Sequence, residues 1–460
     1  MANSDNRLEI GPVAFLVAGL MFMEFLDGAI LPTAAPTIAR SFHILSAQVG
    51  ICVTTYMVTI VVLIPISAWL SDKYGVRVVL FSSIAIFMVG SLACALSSNL
   101  MELTATRILQ GIGAATMVPV GRLILMRSVD KSQIIRAISY SVWPALAAPV
   151  VAPVLGGLII AHASWHWIFL INLPIGLIAL LVGVKIVPNI FGEEIKPLDW
   201  KGFYGSTLSL GLLVFAAGNL GAPHINVLVT LLLFLGGIGI GAPTIRRFAR
   251  VETPLIDLSV LKIQTFYLNT TSGLLFRVAQ NTAPFVLPLL FQDKFGWSAQ
   301  RAGEVLFFYM FGNLGFKAFT TPLMKRFRFK PLLLLTSLLS LPLTLTLAAL
   351  QSSLPLFWIA LLLIVTGGVR SIGMTLYNTI TFADTDQENI SHANTVSNMV
   401  QQLSSVIAVA TAVIAINIGR VIVGVHDQFT FAFSFAILAL LLSLRGVIKL
   451  PQDAGQSLRK

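Results

Sequence analysis

Charge is what this chain has least of. Asp, Glu, Lys and Arg make up 11% of its 460 residues, against roughly 25% in a soluble domain, and a polypeptide so poor in charge cannot keep most of its surface in water. Cysteine is nearly absent: Cys52 and Cys94 stand singly inside apolar runs, far from a histidine or second cysteine at metal-ligand spacing, and both read as small packing residues. The six histidines fall in loops or at helix ends, with no ligand cluster and no nucleophile beside them, so neither a metal site nor a catalytic site is expected. No GxxxxGK[ST] loop is present, which argues against ATP-driven chemistry, and no cofactor is called for. Nor is there a signal peptide: the first apolar run exceeds an h-region and contains Glu24 and Asp27, so it is expected to be retained as a span.

What is present is apolar length. Hydrophobic residues make up 56% and the mean hydropathy is +0.88; a membrane span needs about 20 predominantly apolar residues. Windows fall at about 12–36, 48–70, 78–98, 101–126, 137–161 and 165–188, then 202–220 and 224–243, then 265–291, 302–323, 331–350, 355–378, 394–424 and 428–449. The plan is six plus two plus six: an all-α integral membrane protein of 14 transmembrane helices, with an N-terminal six-helix bundle over 1–188, two additional helices with linkers over 189–262, and a C-terminal six-helix bundle over 263–460.

The net charge of +11 belongs to topology, not to nucleic acid, since short cytoplasmic loops collect Lys and Arg. Alternate loops sort by charge. One side receives Lys73 and Arg77, Lys185 and Lys201, Arg246 and Arg247, Lys325 and Arg326, and Arg445 and Lys449; the other receives only Arg40, Lys294, Arg301 and Arg420. That alternation requires an even span count with both termini cytoplasmic. The loop at 378–393 carries acidic residues and no Lys or Arg, and acidic residues contribute little to the rule.

The stretch Ser67-Ala-Trp-Leu-Ser-Asp72-Lys73-Tyr-Gly75-Val-Arg77, in the turn between the second and third windows, resembles the signature loop of the major facilitator superfamily, with Ala68 at the family's first glycine. Leu103-Thr-Ala-Thr-Arg107-Ile-Leu-Gln110-Gly111-Ile-Gly113 resembles the superfamily's basic motif, in which an arginine inside the membrane faces the transport path. Leu26-Asp27-Gly-Ala-Ile-Leu-Pro32-Thr-Ala-Ala-Pro36 resembles the first-helix motif of the fourteen-span drug:proton antiporter branch, with Pro32 replacing the usual asparagine. Trp165-His-Trp167-Ile-Phe-Leu-Ile-Asn172-Leu-Pro174-Ile-Gly176 is similar to the same branch. On the fifth window, Ala148-Pro149-Val-Val-Ala152-Pro153-Val-Leu-Gly156-Gly157 matches the antiporter motif in its second proline and closing glycines, with alanines at preceding glycine positions. The resemblance implies the major facilitator fold, a substrate site near the bilayer midplane between two halves, and gating by Asp72, Lys73, Gly75 and Arg77 together with Pro149, Pro153, Gly156 and Gly157. It further implies a small-molecule substrate, a proton as co-substrate, a monomer, and residence in the cell inner membrane.

Ionisable side chains inside spans cost about 2.5–3.5 kcal/mol each even on the lenient insertion scale, which makes them functional candidates. Six qualify: Glu24, Asp27, Arg107, Arg277, Lys317 and Arg370. Glu24 and Asp27 are three apart, on one helical face, where both ionising together is unfavourable. Asp27 is expected either to bind the coupling proton, with Arg107 lowering its affinity in one conformation and Glu24 assisting or contacting a cationic substrate, or to be a static partner of Arg107 that fixes helix packing. Arg277, Lys317 and Arg370 lack a deep acidic partner in the second half. They are expected either to bind an anionic group of the substrate or to pair across the cavity with Glu24 or Asp27, Lys317 snorkelling. Asn281 and Tyr377, within a turn or two of these arginines, are candidates for lining the cavity. The expected function is proton-coupled efflux of small organic or drug-like compounds by alternating access. A proton-independent facilitator, an organic-anion transporter and a non-transporting sensor remain alternatives.

Overall fold

A computed structural model describes residues 10–128, 134–191, 197–220, 226–251, 254–385, 390–424, 427–452 and 454. The leading polar segment 1–9 and the side chain of Ala68 lie outside what is described. Helices account for the architecture, and no strand occurs among the described residues. The physical reason is the solvent: in hydrocarbon each backbone N–H and C=O must be satisfied within its own segment.

In chain order the helices are α1 (Ile10–Phe42), α2 (Gly50–Tyr74), α3 (Val76–Ala95), α4 (Leu100–Ser128), α5 (Ile134–His162), α6 (Trp167–Ile186), α7 (Trp200–Leu220) and α8 (Val227–Phe248). They continue with α9 (Gln264–Lys294), α10 (Ala299–Gly315), α11 (Lys317–Arg326), α12 (Phe329–Ala348), α13 (Leu356–Ile380), α14 (Ile390–Ile422) and α15 (Gln428–Lys449). Among the described residues, 13 helices are long and apolar enough to cross a membrane. The fourteenth expected window, 302–323, is split: α10 is 17 residues long and α11 is 10, and the break falls at Phe316, beside Gly315 and Lys317. Glycine weakens the helix at that point, so neither piece alone reaches spanning length, while together they fill the interval the window predicted.

An even number of crossings leaves Ile10 and Lys449 on one side, here called the terminal side. The cores then divide unequally. On the opposite, far side, one continuous core takes residues from both halves, including Leu31 and Ala35 of α1, Phe285 and Leu289 of α9, Leu306 of α10 and Ile416 of α14. Towards the terminal side the larger cores of the two halves are separate. One is built from Val17, Leu80, Phe87 and Ile124 of the first half, the other from Phe276, Leu333, Leu376 and Leu440 of the second.

Close backbone approach closes the far side. A Cβ on Gly157 of α5 would lie 2.6 Å from the Ala299 carbonyl oxygen, and one on Gly303 of α10 would lie 2.1 Å from the Pro153 carbonyl oxygen. Only glycine permits that contact. Gln292 Nε2 of α9 also donates to the Thr33 carbonyl of α1 at 2.9 Å, where α1 carries Pro32 and Pro36.

α7 and α8 form a hairpin against α2 and α14, one helix from each half, through Val58, Val62, Ile66, Phe203, Val214 and Val406. Its base is clamped at the terminal side: Asp199 accepts from the Gly202 amide at 3.0 Å and pairs with Arg247 at 2.9 Å. Much of its outer surface is exposed leucine, valine and isoleucine, among them Leu228, Leu232 and Ile238, as a lipid-facing surface requires.

Gly303→Val should pry α10 from α5, since overpacking costs about 1–3 kcal/mol. Both native cysteines are fully buried, so a cysteine placed at buried Ala302 can be read with a membrane-impermeant maleimide. Labelling should rise in the Gly303→Val background, and unchanged labelling would show that the glycine seam does not hold the far side shut.

Candidate functional site

The first half holds its charges in a closed network. Asp27 of α1 is 1% exposed and Arg107 of α4 is 1% exposed. Arg107 Nη1 donates to Asp27 Oδ2 at 2.5 Å and to Gln110 Oε1 at 2.6 Å. The other carboxylate oxygen accepts from Gln110 Nε2 and from Asn172 Nδ2 of α6, each at 2.9 Å. Ser91 of α3 accepts from the same two amides at 3.2 and 3.0 Å and donates to the Phe169 carbonyl at 2.9 Å. The Arg107 guanidinium lies 3.9 Å from the centroid of Tyr56 on α2, an electrostatically favourable cation–π placement. Asp27 and Arg107 are therefore brought together as the sequence suggested. Gln110, Asn172, Ser91 and Tyr56 were not singled out as members, although Gln110 and Asn172 stand inside the motif stretches that were.

Glu24 lies one turn before Asp27 and is 7% exposed, yet its Oε2 is buried with no hydrogen-bond partner. Arg122 of α4, passed over in the sequence because it sits near the end of an apolar window, is within electrostatic reach of Glu24 and is exposed. The N-terminal site thus has one carboxylate fully engaged and one with an idle oxygen.

The second half is built differently. Arg277 Nη2 of α9 donates to Asn378 Oδ1 of α13 at 2.9 Å, and Arg370 Nη2 of α13 donates to Asn281 Oδ1 of α9 at 2.9 Å. Asn281 in turn donates to Ser405 of α14 at 3.0 Å. Among the described residues neither arginine, nor Lys317, forms an ion pair, so the expectation that they pair across the cavity with Glu24 or Asp27 is not met in this conformation: Asp27 is already occupied by Arg107. Tyr377 is 2% exposed, with its hydroxyl against Ser443 at 3.1 Å and its ring 5.8 Å from the Arg277 guanidinium. It backs Arg277 rather than lining an open surface.

The signature loop folds tightly. Gly75 adopts φ 84°, in the left-handed region that favours glycine, and the Val76 amide donates to the Ile190 carbonyl at 2.9 Å. Arg77 donates to the Val184 carbonyl at 2.8 Å, and Lys73 Nζ lies 4.7 Å from the Trp69 ring centroid. Instead of carboxylates, these cations take the C-terminal carbonyl end of α6 and an aromatic face. Asp72 is half-buried at the end of α2. Pro153 and Gly157 face α10, while Gly156 faces Ile30 of α1, which places the α5 motif at the seam between halves.

Residues 17–409 match the Major Facilitator Superfamily. The chain belongs to that superfamily. Over 452 residues, 97% of this chain and 97% of the other, it is 32% identical to a protein of Haemophilus influenzae named as the transport protein HsrA. It is 35% identical over 402 residues, 86% of this chain and 85% of the other, to a protein of Pectobacterium carotovorum subsp. carotovorum named for multidrug resistance, MdtD. The fold is also that of a crystallised D-xylose-proton symporter, with TM-score 0.68 at 12% identity over 96% of this chain and 98% of that one. A bacterial homologue of the lysosomal transporter Spinster in an inward-facing, unoccupied conformation gives TM-score 0.64 at 14% identity over 98% and 99%. The protein is thus a multi-pass membrane transporter of the superfamily, working by secondary transport.

In a superfamily member the engaged Asp27–Arg107 network is also a structural element. Removing one partner of a buried pair costs on the order of 3–5 kcal/mol, whereas an exposed side chain costs within about 0.5 kcal/mol. Arg107→Ala should therefore lower the thermal unfolding midpoint in lipid nanodiscs well below wild type, with Arg122→Ala close to it. Equal midpoints for the two variants would remove the network from any structural role.

Proposed function

We propose that this transporter exports small organic compounds in exchange for protons, as a monomer in the cell inner membrane with both termini cytoplasmic. The observation that carries the coupling is the asymmetry of the two carboxylates on α1. Asp27 accepts from three donors, one of them the Arg107 guanidinium. Glu24 buries an oxygen that nothing donates to, an arrangement tolerated by a neutral carboxyl and costly for a carboxylate. A proton held at Glu24 and a negative charge held at Asp27 are the two halves of an exchangeable state: the pair lies on one helical face, so a proton taken by Asp27 on rearrangement releases Arg107 from its partner.

With the basic loops cytoplasmic, the far-side core shared by both halves is the outer closure. The rocking units are the bundles 1–188 and 263–460, with 189–262 riding between them. Pro153 and Gly157 form the seam with α10 that must part, with Pro149 and Gly156 on the same helix, and the Asp72–Arg77 turn re-seats α2 and α3 on the opposite side. The names of relatives at 31–35% identity support organic, drug-like cargo.

Purified protein in proteoliposomes, with a pH-sensitive dye inside, should show proton movement when substrate is added. Asp27→Asn and Glu24→Gln should each abolish it. Substrate flux at the wild-type rate without proton movement, unaltered by either substitution, would replace exchange with facilitated diffusion.

A further inference from the structure

The two halves of the superfamily fold are related as parallel repeats, so α1 and α4, the first and fourth spans of one half, correspond to α9 and α13 of the other. In the first half this helix pair matches a carboxylate to an arginine. In the second half both helices contribute an arginine, and each arginine meets an asparagine where a carboxylate would neutralise it. The crossing is reciprocal: Asn281 stands one turn after Arg277, and Asn378 two turns after Arg370.

An amide oxygen satisfies one N–H and leaves the charge. Arg277 is 2% exposed, and its Nε and Nη1 are buried without partners, as is Nε of Arg370. Arg370, Asn281, Asn378 and Ser405 are only half-buried, so Arg370 keeps partial exposure beside the buried Arg277. Lys317 adds a third cation within electrostatic reach of Arg370. Two guanidinium groups and an ammonium without a counter-charge are expensive at this depth, and free N–H groups in the fixed fork of arginine match an oxyanion.

Resting on the transporter reading above, we propose that Arg277 and Arg370 are the substrate-recognition element and that the cargo is a small organic oxyanion, carrying a carboxylate or sulfonate beside an apolar body. Asn281 and Asn378 hold the two guanidinium groups in place without neutralising them. Asn281, itself fixed by Ser405 of α14, links the site to the helix that packs against α2 of the other half. Substrate specificity then resides in the second half and proton handling in the first.

The test uses the full chain in nanodiscs in chloride buffer, with the thermal midpoint read against sodium benzoate, sodium benzenesulfonate, uncharged benzamide and cationic tetraphenylphosphonium. Benzoate and benzenesulfonate should raise the midpoint, and benzamide should not. Arg277→Gln and Arg370→Gln should weaken the anion response by about tenfold or more in apparent Kd, equivalent to about 1.4 kcal/mol. Because an arginine variant can fail to fold, Asn281→Asp and Asn378→Asp are the decisive pair: each keeps the side-chain shape, installs the missing counter-charge and should remove the anion response. An anion response that survives both aspartate substitutions, a response to tetraphenylphosphonium alone, a full response to added sodium chloride alone, or no response to either anion overturns the proposal. Proton movement in Asp27→Asn and Glu24→Gln proteoliposomes judges the coupling reading separately.

Discussion

A charge buried at the depth of a membrane must find its compensation inside the protein, because lipid offers none. That constraint organises the first half of this chain. Asp27 on α1, Tyr56 on α2, Ser91 on α3, Arg107 and Gln110 on α4 and Asn172 on α6 converge on one ion pair, so a single electrostatic requirement ties five helices of the first bundle to one another. Apolar packing between helices in lipid gains little from water exclusion. The polar network therefore supplies the register that leucine and valine leave undetermined.

The second half meets the same constraint incompletely, and the incompleteness is informative. Asparagine at 281 and 378 orients its arginines but supplies no charge, so the balance is left for something that arrives and departs. A transporter needs that division: a bundle that compensates its own charge is a rigid body, and a bundle that does not is a binding surface. The far-side seam complements it. Backbone-to-backbone contact at Gly157 and Gly303 is close enough to hold two bundles together, yet among the described residues the seam has no buried ion pair that would have to be broken for them to part.

Much of the architecture was legible because membrane spans announce themselves by length. Thirteen windows returned as continuous helices with ends shifted by a few residues, and the fourteenth, expected as one span, returned broken at Phe316 beside Gly315. The Asp27–Arg107 pairing was legible for a similar reason, since lone opposite charges in apolar runs must find each other. Less legible were the amides and hydroxyls: Gln110, Asn172 and Ser91 are common helix residues whose roles depend on which way they point. Tyr377 illustrates the converse, being near Arg277 in sequence register but turned to Ser443.

By itself the sequence determined the solvent, the placing of the apolar segments along the chain and the burial of Glu24, Asp27, Arg107 and Arg277, because each of these depends on composition along one dimension. The tertiary structure alone decided the rest: that Glu24 is left with an idle oxygen beside the paired Asp27, that Arg277 and Arg370 face asparagines and no carboxylate, and that the halves share their largest core on the far side. Those outcomes depend on distances between helices far apart in the chain, and the hydropathy of a segment records which residues are buried but not what they are buried against.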